Sequence, residues 1–308
     1  MQTSTTIADA VSRPASPALL FPFLAFVLVV SWSSGFVGIR YATAEAPVFL
    51  VLFWRSFVSG LLLLPFALAI GPRISLRAVA GQAGYAFLGM FLYLGGFALA
   101  IGLRVPTGLV ALMADLVPLA IAALSLPVLG QRLSRIQWLG TAVGLAGVLI
   151  VSADTVGLGQ APLLAYLLPV IGMIAFALAT VLQERCRARE LAIHQRLCLQ
   201  CLAAATFFAP CALLWGGVVP PATGSFAFGI GWLVLIATFG AWLTYYLCLR
   251  LYSPARVSAT IYLSPPVTMI WAWAMFGEPL TPAMGVGLVV TLAGVWLVAS
   301  VSRAGDAS

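Results

Sequence analysis

One stretch of this chain occurs twice, about half a chain apart. Pro106, Ala111 and Pro118 recur 148 residues later as Pro254, Ala259 and Pro266. With one residue dropped, Gly130, Leu133, Gly140 and Leu145-Ala146-Gly147-Val148 recur as Gly277, Leu280, Gly287 and Leu292-Ala293-Gly294-Val295. Each copy runs in the same order: an apolar run with prolines, a polar corner, an apolar run with glycines. A period near half the chain length marks an internal duplication. Whatever this chain folds into is built from two related halves.

Composition says where that fold sits. Hydrophobic residues make up 63% of the chain and charged residues 7%, against about 25% charged in soluble domains. Too few charges remain to cover a surface facing water, so the chain is read as an integral membrane protein. Apolar runs span 19–40, 47–70, 80–102, 107–127, 136–153, 161–183, 196–215, 228–250, 256–276 and 283–301. Each is near the roughly 20 residues a spanning helix needs. The connections are short and leave no room for a soluble domain. The expected fold is an all-α polytopic membrane protein of ten transmembrane helices. Two five-helix repeats are expected at 19–153 and 154–302, with a flexible N-terminal tail at 1–18 and a C-terminal tail at 303–308.

The arginines give the direction. All fifteen basic residues are Arg. With ten crossings, twelve of them fall on the side of both termini, two (Arg40 and Arg104) fall on the other, and Arg55 lies inside the second run. Such a bias places both termini in the cytoplasm, which for a bacterial chain means a multi-pass inner-membrane protein. Five crossings separate equivalent helices, so the halves lie upside down to one another. Many secondary transporters have this inverted-topology architecture, with the substrate bound near mid-membrane between the repeats.

The arginines are scattered singly, so the expected partners are the lipid bilayer and a small-molecule substrate, not nucleic acid. A monomer is expected, with a dimer as the alternative. No cofactor and no metal site are read from the sequence. Cys198-x-x-Cys201 lies inside an apolar run without a nearby His and reads as packing. There is no cleavable-signal pattern at the N-terminus. The segment Glu184–Arg196, with the only histidine, His194, reads as a solvated connecting loop.

Asp115 is the one acid well inside a predicted span. It and Arg55 each lie roughly 12 Å from the same end of their helices at 1.5 Å per residue. An intramembrane ion is costly and is a functional-site candidate by default. Two functional readings stand beside that of a buried structural pair. Either Asp115 and Arg55 read the ammonium and carboxylate of a zwitterion, or Asp115 carries a proton. Rings at helical spacing form a second group: Tyr85, Tyr93 and Phe97 near Gly89, Gly95 and Gly96; Phe239, Trp242, Tyr245 and Tyr246; Tyr262, Met269 and Trp273; and Trp32 with Phe176. Such rings suit a cavity that stacks an aromatic or apolar substrate, whereas Trp271 and Trp296 read as lipid-facing. The substrate-binding candidates are therefore Trp32, Arg55, Tyr85, Tyr93, Phe97, Asp115, Phe176, Trp242, Tyr245, Tyr246 and Tyr262. Pro118 and Pro266 are hinge candidates. Gly140-x-x-x-Gly144 reads as close helix packing within the chain.

The block Gly277-Glu278-Pro279-Leu280-Thr281, with its first-half counterpart Gly130-Gln131-Arg132-Leu133-Ser134 and the glycines that follow each, resembles the EamA family of the drug/metabolite transporter superfamily. Phe53-Trp54-Arg55 resembles that family's aromatic-Arg pattern. The resemblance covers about residues 20 to 302 and implies ten helices, two repeats and transport of small metabolites. Gln131 stands where the second half has Glu278. Within the family the aromatic set is most similar to YddG-type amino-acid exporters. The expected function is thus export of amino acids, aromatic and other neutral ones, or similar metabolites, by a facilitator or a proton-coupled carrier. Transport of nucleotide sugars, purines or drugs is the alternative. An enzyme is disfavoured by the lack of His-Glu-x-x-His, clustered His or Cys, and a phosphate-binding loop. A receptor would not need an inverted repeat.

Overall fold

The computed structural model describes residues 17–129, 134–157, 161–185, 191–252, 257 and 260–305. Among them there is helix and no strand. The first half runs α1 (Pro17–Glu45), α2 (Val48–Ala69), α3 (Leu76–Ala86), a π-helical turn (Phe87–Leu92), α4 (Tyr93–Gly102), α5 (Thr107–Ala114), α6 (Val117–Leu129) and α7 (Arg135–Gly157). The second runs α8 (Leu167–Arg185), entered through a 3-10 turn (Leu163–Tyr166), then α9 (Ile193–Leu214), α10 (Gly224–Trp232), a second π-helical stretch (Leu233–Gly240), α11 (Ala241–Leu251), α12 (Ser264–Phe276) and α13 (Pro282–Gly305).

Seven helical stretches among the described residues are long and apolar enough to cross a bilayer: Leu20–Glu45, Val48–Ala69, Leu76–Gly102, Arg135–Asp154, Leu163–Gln183, Ile193–Leu214 and Gly224–Tyr245. The apolar runs 107–127 and 256–276 carry shorter helices, for a physical reason, whereas the run 283–301 lies within the 24-residue α13. Pro118 has no N–H for the Ala114 carbonyl, and Pro265 and Pro266 have none for those of Ile261 and Tyr262. The chain turns at Asp115–Leu116 and again at Tyr262–Leu263, just ahead of those prolines. Pro118 and Pro266 thus sit in the first turn of α6 and of α12. The side chain of Pro118 is outside the described residues. The outward faces stay apolar, with Phe26, Trp138, Leu149, Leu235 and Trp296 all exposed, the arrangement lipid requires.

The packing keeps the same pattern when the halves are exchanged. α2 lies along its equivalent α9, and α7 along its equivalent α13. α1 packs on α10, the second π stretch and α11, just as α8 packs on the first π turn and α4. The caps match as well: Ser75 accepts the amide of Ala78 at the start of α3, and Thr223 that of Phe226 at the start of α10. Glycines set the α7–α13 seam. A methyl on Gly147 would meet the Gly287 carbonyl oxygen at 2.5 Å, and one on Gly294 the Gly140 carbonyl oxygen at 2.5 Å. These are the same contact with the halves exchanged, as an axis between them demands. The Gly140/Gly144 pair therefore packs within the chain.

Two ends of the bundle are distinguished by their connections. At one, which we call the latch end, Trp54 donates to the Val218 carbonyl at 3.0 Å and Thr281 Oγ1 to Asp154 Oδ2 at 2.7 Å. At the other, the mouth end, Gln195 Nε2 donates to the carbonyls of Ala67 and Pro72, each at 2.9 Å. His194 Nε2 lies 2.8 Å from the Ile70 carbonyl. His194, expected in a loop, is the second residue of α9 and ties that helix to the 69–76 connection.

Candidate functional site

The two broken helices, the two π-bearing helices, and α1 with α8 enclose a chamber of about 910 Å³. A narrower arm of about 110 Å³ runs from it toward the latch end. The chamber is bounded by Ile193 and Arg196 at the start of α9, and by Gln183 near the end of α8, so among the described residues it opens at the mouth end. π-helical stretches recur at functional sites because the extra residue re-aims the side chains after it. Here they precede Tyr93 and Trp242, which both line the cavity.

Aromatic rings form two opposed walls, one from each half-pair. Trp32, Trp242 and Tyr245 make one, with ring centroids 5.9, 5.9 and 6.0 Å apart. Tyr93 stacks between Phe97 and Phe176, 4.6 Å from each, to make the other. Glycine permits the second wall: a methyl on Gly172 of α8 would meet the Tyr93 carbonyl at 3.0 Å. Tyr85 and Tyr262 also line the chamber, and Phe97 lines the arm. The Tyr246 side chain is outside the described residues. Trp273, grouped in sequence with the candidate lining rings, is 54% exposed and turned outward. Trp271 packs on Trp232, ring centroids 5.6 Å apart. Met269 packs against Gly108.

Both intramembrane ions face this cavity, but in different places. Arg55 is 9% exposed and borders the arm. Its Nε donates to Thr238 Oγ1 at 3.2 Å, and Thr238 in turn donates to the Leu233 carbonyl at 2.8 Å. Thr238 and Leu233 both belong to the second π stretch, so that stretch orients the guanidinium. Among the described residues no carboxylate pairs with Arg55. Asp115 is 5% exposed, borders the wide chamber, and its Oδ2 has no hydrogen-bond partner. Arg55 and Asp115 form no ion pair. Trp32, Phe36, Gly89, Met90, Tyr93, Phe176 and Trp242 border both parts of the cavity and stand between the two ions.

The latch end is closed by a contact that sequence reading did not anticipate. Glu278, from the polar corner before α13, accepts the backbone N–H of Thr107 at 2.7 Å and its hydroxyl at 2.6 Å. The same carboxylate lies 3.4 Å from Arg40 Nε, and the Arg40 guanidinium sits 5.2 Å from the Phe276 ring centre. An acid on the first amide of α5 also complements that helix's N-terminus. One side chain thereby joins α1, α5 and the α12–α13 corner. Thr238, Gln183, Arg196 and Gln200 were likewise absent from the sequence-derived set. No local motif marks them; each matters through a partner or a cavity assembled from distant parts of the chain.

Comparison with known proteins gives the family. A model of the EamA-like transporter family matches residues 20–153 and again residues 163–300. The chain is 27% identical over 278 residues to the "Uncharacterized inner membrane transporter YedA" of Escherichia coli (strain K12), covering 89% of this chain and 88% of that protein. It is 28% identical over 306 residues to the "Uncharacterized transporter YvbV" of Bacillus subtilis (strain 168), covering 94% of each. A crystal structure at 20% identity superposes with a TM-score of 0.64 over 92% of this chain and 98% of that one, a likeness of fold.

Proposed function

This chain belongs to the EamA-like transporter family, and from that premise we propose that it exports amino acids, aromatic and other neutral ones, by alternating access. The topology behind this proposal is ten crossings in two inverted repeats, 19–153 and 154–302. The exchange-symmetric packing of α2 with α9 and of α7 with α13 supports it. The arginine excess puts the mouth end and both termini in the cytoplasm. A chamber open at that end is then in the state that loads an exporter.

The observation that carries the substrate class is Arg55. A buried guanidinium without an acid is expensive, and a carboxylate entering the arm supplies the missing partner in a charge-assisted hydrogen bond. The aromatic walls give the rest of the molecule stacking surfaces. Of the described cavity-lining groups, only Arg55 and Arg196 are cationic, which suits a single carboxylate better than the phosphates of a nucleotide sugar. A cationic drug would meet Arg55 as a like charge.

The test is counterflow of labelled amino acids in proteoliposomes, together with export of an amino-acid panel from cells that over-produce the protein. Replacing Arg55→Gln removes one charged hydrogen-bond partner, so uptake at sub-saturating substrate should fall about 10- to 100-fold with protein level unchanged. Counterflow with nucleotide sugars, purines or drugs but with no amino acid would overturn the substrate class. No counterflow with any of them would remove the transport reading itself.

A further inference from the structure

The arm of the cavity contains a buried hydroxyl as well as a buried guanidinium. Ser59 is 1% exposed and borders the arm, and its Oγ has no hydrogen-bond partner among the described residues. It lies four residues beyond Arg55 on α2, so the two stand one turn apart on the same face. Arg55 has already given its Nε to Thr238. Among the described residues nothing binds its two terminal nitrogens.

This part of α2 is closely held. A methyl on the next residue, Gly60, would meet the Leu202 amide nitrogen of α9 at 3.1 Å, and the Gly60 carbonyl accepts the Cys198 thiol at 3.4 Å. The donors of Arg55 and Ser59 are therefore set before a ligand arrives, which is what makes a hydrogen-bonding site selective. The rest of the arm is mostly apolar, with Leu94, Phe97, Ala98 and Ile101 of α4 and Ile39 of α1. At about 110 Å³ against about 910 Å³ for the chamber, the arm admits one end of a small molecule and leaves the remainder between the aromatic walls. An apolar end placed there would strip water from both donors and return nothing. A carboxylate has an acceptor oxygen for each.

We propose that the arm is the head-group subsite of the carrier and that Ser59 is a specificity-determining residue in it. This rests on the transport reading above and deepens it. Arg55 holds one carboxylate oxygen with its terminal nitrogens, and the Ser59 hydroxyl donates to the other. The substrate's side chain stays in the chamber. Selection is then strict at the head group and permissive beyond it: acids are taken over their amides, while side chains as different as those of leucine and tryptophan are both accepted.

The test uses full-length protein in proteoliposomes. Counterflow of labelled phenylalanine is inhibited by unlabelled leucine, phenylalanine, tryptophan or phenylalaninamide. Ser59→Ala loses one hydrogen bond to a charged acceptor, so the half-inhibitory concentrations of the three acids should all rise about tenfold. The amide offers only a neutral acceptor and should weaken about threefold, so discrimination between acid and amide narrows. Ser59→Thr keeps the hydroxyl and should keep the wild-type discrimination. Ser59→Cys, whose thiol is a weaker donor, should fall between, and it carries the test if the alanine variant does not fold. A merely structural role would shift acid and amide by one common factor, and that result would overturn the proposal, as would no shift at all. A shift that differed among the three acids according to side chain would put the side chain in the arm and overturn it equally. Absence of wild-type counterflow with every amino acid would instead strike the transport reading on which the proposal rests.

Discussion

The two ends of the bundle are built from equivalent pieces and yet do opposite things. At the latch end Glu278 holds Thr107 and Arg40 together; at the mouth end the chamber is open past Gln183, Ile193 and Arg196. In the repeat register the position equivalent to Glu278 is Gln131, which is outside the described residues. One end thus has an acid where the other has an amide. A carboxylate binds an N–H, an O–H and a guanidinium as charged hydrogen bonds, each worth about 1.5–3 kcal/mol net, against about 1 kcal/mol for a neutral one. Two ends alike in fold but unequal in charge need not be equally easy to open.

Removing the acid should have the largest effect. Glu278→Ala leaves the first amide of α5 and the Arg40 guanidinium without their shared partner. The latch end should then open at least about tenfold more often, from the loss of one or more charged hydrogen bonds. Labelling by a membrane-impermeant maleimide applied on the latch side, periplasmic in the proposed orientation, reads this, using a cysteine placed at Ile39, which borders the arm. An unchanged rate would show that the closure lies elsewhere. Supplying the acid to the other end tests the comparison from the opposite side. Gln131→Glu should slow labelling of a cysteine at Gln183 from the mouth side, cytoplasmic in the proposed orientation, about threefold to tenfold, a smaller change because Gln131 still offers a neutral acceptor.

Much of this arrangement was legible in the sequence, for physical reasons. Bilayer thickness fixes the length of an apolar run, so helices such as Val48–Ala69 and Ile193–Leu214 stand out without any knowledge of packing. The duplication announces itself because Gly147 and Gly294 occupy equivalent positions and serve the same seam. Direction around the helix axis was not legible. In a helix apolar on every side, periodicity no longer separates the inner face from the outer, so Trp273 could be grouped with the lining rings although it faces outward. Depth, estimated from rise per residue, put Arg55 and Asp115 at one level but could not show that they border different parts of the cavity. The π-helical stretches leave no sequence signature of their own. The partners they aim are remote: Thr238 is 183 residues from Arg55, and Glu278 is 171 residues from Thr107.

The finest test of the comparison separates charge from geometry at the latch. Thr107 offers Glu278 two donors, a backbone amide fixed by the start of α5 and a hydroxyl on the side chain. Thr107→Val keeps the shape and the amide and removes only the hydroxyl. Because the oxygen that accepts the hydroxyl, Glu278 Oε1, also faces Arg40 and is not left bare, the loss should fall below the range for a charged hydrogen bond, at about 1 kcal/mol, or roughly fivefold in the opening equilibrium. The same cysteine at Ile39 should label faster in that proportion, well short of Glu278→Ala. If Thr107→Val matched Glu278→Ala, the hydroxyl and not the charge would be what holds α5 to the corner. Gln131, which accepts hydrogen bonds as readily as any amide, would then no longer account for the difference between the two ends.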